Sequence, residues 1–257
     1  MLKGYKISLE PGVNWNLFLD ERSGSSLNLG VNISNVLRLV KCEFEEIFGV
    51  STVNSHPAVS VLYTCDAPQT FRANKLIFLS STGSYYLQHI YQFSHELCHF
   101  MVPSEVCAAY RWFEETLCQA MSWFILQRLY DKRVASPCRE LAMLYPAIED
   151  YIRHDMRKRC SLRGLSLPDY LAQNQLHLRE LCYDRERNAA IAYEIYPLLT
   201  KYPALWTIIP HLHKLSPSMN LSEAILFLIR AADVEKDGGD KFMQRVSQQG
   251  LVVAQGV

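Results

Sequence analysis

His95-Glu96-Leu97-Cys98-His99 is the stretch whose residue types and spacing most directly suggest chemistry. Two histidines four apart on a helix project from one face, about a turn apart. That spacing lets both imidazoles reach one metal ion. Glu96 is displaced around the helix but stays near the ion, where its carboxylate can take a proton from a water molecule that the metal activates. A catalytic zinc needs three protein ligands and an open position for water. Downstream stands Trp112-Phe113-Glu114-Glu115-Thr116-Leu117-Cys118, with fifteen residues between His99 and Glu115. A carboxylate there returns to the metal if its helix packs against the first, and Pro103 and Ser104 supply the turn. Two imidazoles and a carboxylate suit Zn2+. Cys98 lies off the ring face set by the two histidines, so it is assigned to core packing, as is Cys118.

H-E-x-x-H followed by W-x-x-E on the next helix resembles the gluzincin metallopeptidases. These include thermolysin, the zinc aminopeptidases and the small minigluzincins of the peptidase MA-like group. The likeness spans roughly residues 57–130. In the aminopeptidase branch the third ligand lies in W-L-N-E-G-F-A. Setting Trp112–Cys118 against it places the ligand at Glu115, with Glu114 at the Asn position as the rival and Thr116 in place of Gly. Those relatives also carry a Tyr before a Lys-Gly-Ala helix start, whose hydroxyl stabilises the oxyanion. Here Tyr183 precedes Arg187-Asn188-Ala189-Ala190, with two extra residues and Asn for Gly. Tyr183 is thus the implied donor, with Tyr193, His211 and His213 as rivals. Leu205-Trp206 and Ser222-Glu223-Ala224-Ile225 look like the last helices of the group. The glycine-methionine-glutamate motif that anchors a free amino terminus in aminopeptidases is not visible, which favours an endopeptidase.

The resemblance implies a zincin, thermolysin-like catalytic core that holds Zn2+ through His95, His99 and Glu115. Glu96 acts as general base and then as proton donor to the leaving amine. A peptide or protein substrate would lie extended along Ala67–Arg72 by strand addition, touching Ala67 and Phe71. The alternative is a non-catalytic zinc-binding domain of the same fold that regulates or binds a partner. A second is a metalloprotease-like sensor with one narrow protein substrate. A binding module has no need of Glu96, so its presence favours the enzyme.

The elements that must position these residues are legible from periodicity. Tyr5–Leu9 reads as a first strand in an otherwise polar, Ser/Gly/Asn-rich stretch over residues 1–31. Ile33, Val36, Leu37, Val40, Phe44 and Ile47 recur at helical steps, and Gly49 stops them. Val59–Cys65 and Lys75–Leu79 read as strands. Asp66–Ala73 between them is a turn or a short edge strand. Helices are expected over Tyr86–Val102, stopped by Pro103, then over Glu105–Lys132, Arg139–Arg159 and Arg185–Thr200, the last capped by Asp184. Asn220-Leu221-Ser222-Glu223 resembles a capping box that opens a helix over Ser222–Ala232. The fold class is therefore α+β, a small mixed sheet with the H-E-x-x-H helix followed by a mainly helical part. The expected divisions are 1–104, 105–236 and a loosely ordered tail over 237–257.

Composition excludes several alternatives. The chain has 257 residues, with 26 basic and 26 acidic side chains. That balance argues against a protein that coats nucleic acid or an anionic membrane. No apolar run is long enough to span a bilayer, and the start MLKGYKISLEPG shows no leader pattern, so the expected location is cytoplasmic. Eight cysteines form no Cys-x-x-Cys pair, so they are expected as buried free thiols. The basic run Arg153–Arg159 is expected as a solvated helix end. Tyr110, Trp112, Phe113, Trp123, Phe124 and Tyr130 are expected as core.

Overall fold

A computed structural model describes residues 4–9, 15–20, 26–49, 53, 59–63, 67–134, 139–159, 162 and 164–247. The chain forms two compact units that are interleaved in sequence. Unit 1 comprises Met1–Met101 and Met121–Asp155; unit 2 comprises Val102–Ala120 and Met156–Val257. The chain changes unit after Met101, after Ala120 and after Asp155. The last two changes fall inside helices, where no linker composition could mark them.

Unit 1 holds a mixed sheet of β1 (Gly4–Ser8), β2 (Trp15–Asp20), β3 (Val59–Tyr63), β4 (Gln69–Phe71) and β5 (Leu76–Leu79). Their order is β1-β2-β3-β5-β4. The inner pairs β2–β3 and β3–β5 are parallel, and the outer pairs β1–β2 and β5–β4 are antiparallel. The strand β2 was not expected from the sequence. Its alternation puts Trp15, Leu17 and Leu19 in the core, no more than 2% exposed, while Asn16 and Asp20 give the stretch its polar look. The segment read as a turn or edge strand contains β4, an edge strand three residues long. Cys65 and Asp66 lie outside the described residues.

Two helices pack on each other and on the sheet. In α1 (Leu27–Phe48) the Ser26 hydroxyl caps the start by accepting from Leu29 N at 3.2 Å. This helix begins within the stretch read as polar and irregular. At Gly30 a Cβ would stand 2.6 Å from Ile7 Cδ1 and Leu19 Cδ1, so only glycine allows α1 this close to β1 and β2. In α2 (Tyr86–Phe100), Ile90, Phe93, Leu97 and Phe100 follow steps of three, four and three and are at most 2% exposed. Burying each contributes roughly 1.5–3 kcal/mol as an upper estimate.

A 3-10 turn at Ala108–Tyr110 leads into α3 (Arg111–Asp131). The helix expected over Arg139–Arg159 breaks into α4 (Arg139–Ala142) and α5 (Tyr145–Arg159). Pro146 sits in the first turn of α5, where its missing N–H costs nothing. Unit 2 continues with α6 (Leu167–Glu180), α7 (Arg185–Lys201), a 3-10 helix over Pro203–Lys214, α8 (Leu221–Ala231) and α9 (Lys236–Val246). The capping box at Asn220 and Glu223 is present. The expected loose tail is replaced, as far as Val246, by α9, whose Phe242, Met243 and Val246 are buried. Residues 248–257 lie outside the described residues.

Most of the aromatic cluster is buried, with Tyr130 half-buried under the Arg133 guanidinium. Arg153 and His154 are exposed, whereas Asp155 is bonded. Cys98 is a free, buried thiol, as expected, and Cys118 is buried too, but Cys42 is exposed and Cys107 and Cys182 are intermediate. Among the described residues, no helix is long and apolar enough to cross a membrane.

Candidate metal centre

Five residues of α2 hold it in place before any ligand is considered. Gln92 accepts from Ser80 N and Ser81 N at 3.0 and 2.9 Å and donates to Ser80 Oγ at 3.0 Å, which pins α2 to the end of β5. Tyr91 donates to Asp155 Oδ2 at 3.1 Å, and Trp123 Nε1 donates to the same oxygen at 3.0 Å. His89 stacks edge-on against Tyr63, whose hydroxyl lies 2.8 Å from its Nδ1; Nε2 lies 3.0 Å from Gly83 O. This fits a neutral ring with the proton on Nε2. Burial pushes the His89 pKa below 6.5, and the Gly83 carbonyl opposes it only in part. From β4, the Thr70 hydroxyl lies 2.8 Å from both the carbonyl oxygen and Oε2 of Glu96. Arg72 Nε donates to His99 O at 2.8 Å.

This frame presents His95 and His99 half-buried, with ring centroids 5.0 Å apart and the rings inclined at 67°. Their Nε2 atoms are 3.3 Å apart. Two nitrogens bound to one tetrahedral zinc at about 2.0–2.1 Å would themselves be separated by about 3.3 Å. One ligand atom each from His95, His99 and Glu115 lie within 4.8 Å of one another, so the three residues form a group that could hold a metal ion. Glu115 is half-buried on α3. Glu114, the rival carboxylate, is 4% exposed and stands outside this group. The donor set of two imidazoles and one carboxylate fits zinc with an open position. Glu96 is only 5% exposed.

The other expected residues are placed less tightly. Ala67 is exposed just ahead of β4. Phe71 is 37% exposed on β4 and meets Phe78 edge-on at 5.4 Å. Tyr183 is 69% exposed in the turn before α7. That turn is held from both sides. Asn188 Nδ2 donates to Cys182 O at 2.7 Å, and Asp184 Oδ1 caps α7 by accepting from Arg187 N at 3.1 Å. Burial pushes the Asp184 carboxyl up, but hydrogen bonds from His177 and Arg187 outweigh it and leave the pKa below 3.8. Burial raises the Cys182 thiol; Arg111 lowers it, and Glu115 raises it further. Tyr193 is 46% exposed on α7, and His211 and His213 lie on the 3-10 helix.

Thr70 and Arg72 escaped the sequence reading. Both sit in the segment weighed as an edge strand, and their two-residue spacing puts them on one side of it. Nothing in the sequence says that α2 lies on that side. Compared with known proteins, the chain matches no family model and no curated sequence.

Proposed function

We propose that this protein is a zinc-dependent metallopeptidase of the gluzincin type, with His95, His99 and Glu115 as ligands. The observation that carries the reading is the convergence of the two Nε2 atoms at 3.3 Å with a carboxylate in the same group. When bound there, zinc supplies a Lewis acid that polarises the scissile carbonyl and acidifies water. Glu96 takes the proton as water attacks and delivers it to the leaving amine. Tyr183 donates its hydroxyl proton to the oxyanion, as the resemblance implies, with Tyr193, His211 and His213 as rivals. The peptide lies extended against the open edge of β4, beside Ala67 and Phe71, and the absence of an amino-terminal anchor motif favours endopeptidase action. The free, buried thiol of Cys98 supports a reducing, cytoplasmic setting.

Metal content, measured by inductively coupled plasma mass spectrometry, tests the ligand set. The expected result is one zinc per chain, lost in Glu115→Ala and kept in Glu114→Ala. Glu96→Gln is expected to keep its zinc and lose about 10²–10⁴-fold in turnover on a peptide library. No zinc in the parent after reconstitution sinks the reading. Zinc without turnover on any peptide turns it into a zinc-binding regulatory domain.

A further inference from the structure

We propose that Thr70 is a positioning residue for Glu96, and that β4 couples the docking of an extended peptide to the readiness of the base. The inference rests on the peptidase reading above. Its starting point is that β4 has two jobs in three residues. Its outer edge carries no strand among the described residues, so its free backbone groups can pair with a substrate. On its inner side Thr70, with Arg72 just past the end of the strand, holds α2. Thr70 reaches Glu96 and Arg72 reaches the carbonyl of His99, both at 2.8 Å. The spacings match: two residues along a strand span about 6.6 Å, and three along a helix about 4.5 Å, within the reach of a short and a long side chain. Phe71, between them, packs on Phe78 instead.

Glu96 needs such a hold. Among the described residues, Thr70 is the one hydrogen-bond donor to its carboxylate. The Thr70 hydroxyl has a single proton and two acceptors at equal distance, the carboxylate and the Glu96 carbonyl. Which one it serves depends on where β4 sits against α2. A three-residue edge strand paired on one side is weakly held, and a peptide added on the other side gives it a second ladder. Binding energy from peptide residues remote from the scissile bond then fixes the base in the transition state, which raises kcat rather than only lowering KM.

The test compares a hexapeptide long enough to run along β4 with a tripeptide sharing its scissile bond. In the zinc-loaded parent, kcat is expected to be at least tenfold higher on the longer peptide. Thr70→Val keeps the shape and removes the hydroxyl; it should abolish most of that kcat advantage with KM changed less than threefold. Thr70→Ser should restore it. An unchanged kcat advantage in Thr70→Val, or an effect confined to KM, overturns the proposal. A second arm does not depend on turnover. In urea unfolding, Thr70→Val and Glu96→Gln are expected to be non-additive by fivefold or more in the folding constant. Additivity overturns the contact even in an active enzyme. A zinc-loaded parent that cleaves neither peptide overturns the coupling together with the peptidase reading, while the unfolding cycle still decides the contact.

Discussion

His89 is fully buried as a neutral ring, and this fixes the sign of a pH response. Its folded pKa is depressed below 6.5 by burial. The unfolded chain therefore binds the proton more readily. Stability is fully present above about pH 6.5 and is lost as pH falls from there through the lower folded value. The half-buried His211, also lowered by burial, adds a smaller contribution of the same sign. On chelator-treated protein, the melting temperature is expected to fall between pH 7 and pH 5.5, and to fall less in His89→Phe. A parent and variant with parallel pH curves would disprove the assignment. At this scale the candidate ligands His95 and His99 were legible because a helix brings them together by local geometry alone. Spacing also reached a carboxylate at Glu115, and resemblance set it ahead of Glu114. Thr70 and His89 were not legible, since their partners lie 26 residues away in sequence.

Two helices far apart in sequence are tied by charge. Glu43, 5% exposed on α1, accepts from Arg128 Nε at 2.6 Å and from Lys132 Nζ at 2.8 Å, both from α3 and the turn after it. Glu46, 55% exposed, accepts from the same two side chains. Glu43→Gln leaves two cations without their buried partner, and should cost about 1–3 kcal/mol. Their own partial exposure, 25% and 33%, places the value at the lower end. Glu46→Gln should stay within about 0.5 kcal/mol. Urea titration of both variants checks this, and equal losses would contradict it. Element recognition failed where the signal was weak or broken up. In β2 the alternation of Trp15, Leu17 and Leu19 was present but short. For α6 the cues were Ser166, whose hydroxyl accepts from Asp169 N at 3.3 Å, and Pro168 in the first turn. The long helices α1 and α2 were found because several turns repeat the same apolar step.

For the whole molecule, zinc bound at the proposed site would act as a ligand of the folded state. At one hundred times its dissociation constant it should add about 2.7 kcal/mol. For a chain of this size that corresponds to a rise of roughly 5–10 °C in melting temperature. Differential scanning fluorimetry with zinc and with a chelator reads the shift, which should vanish in Glu115→Ala. A shift that survives that substitution would place the zinc elsewhere. The interleaving of the two units has a further consequence, for biosynthesis. Unit 1 is not complete until residues 121–155 exist, and residues 102–120 of unit 2 are made before them. Its parallel ladder also joins Trp15 to Val59, a distant partner in the chain. Neither unit can be excised as one continuous gene segment. A nascent chain halted after residue 120 has both histidines and Glu115 in hand, yet neither unit is complete.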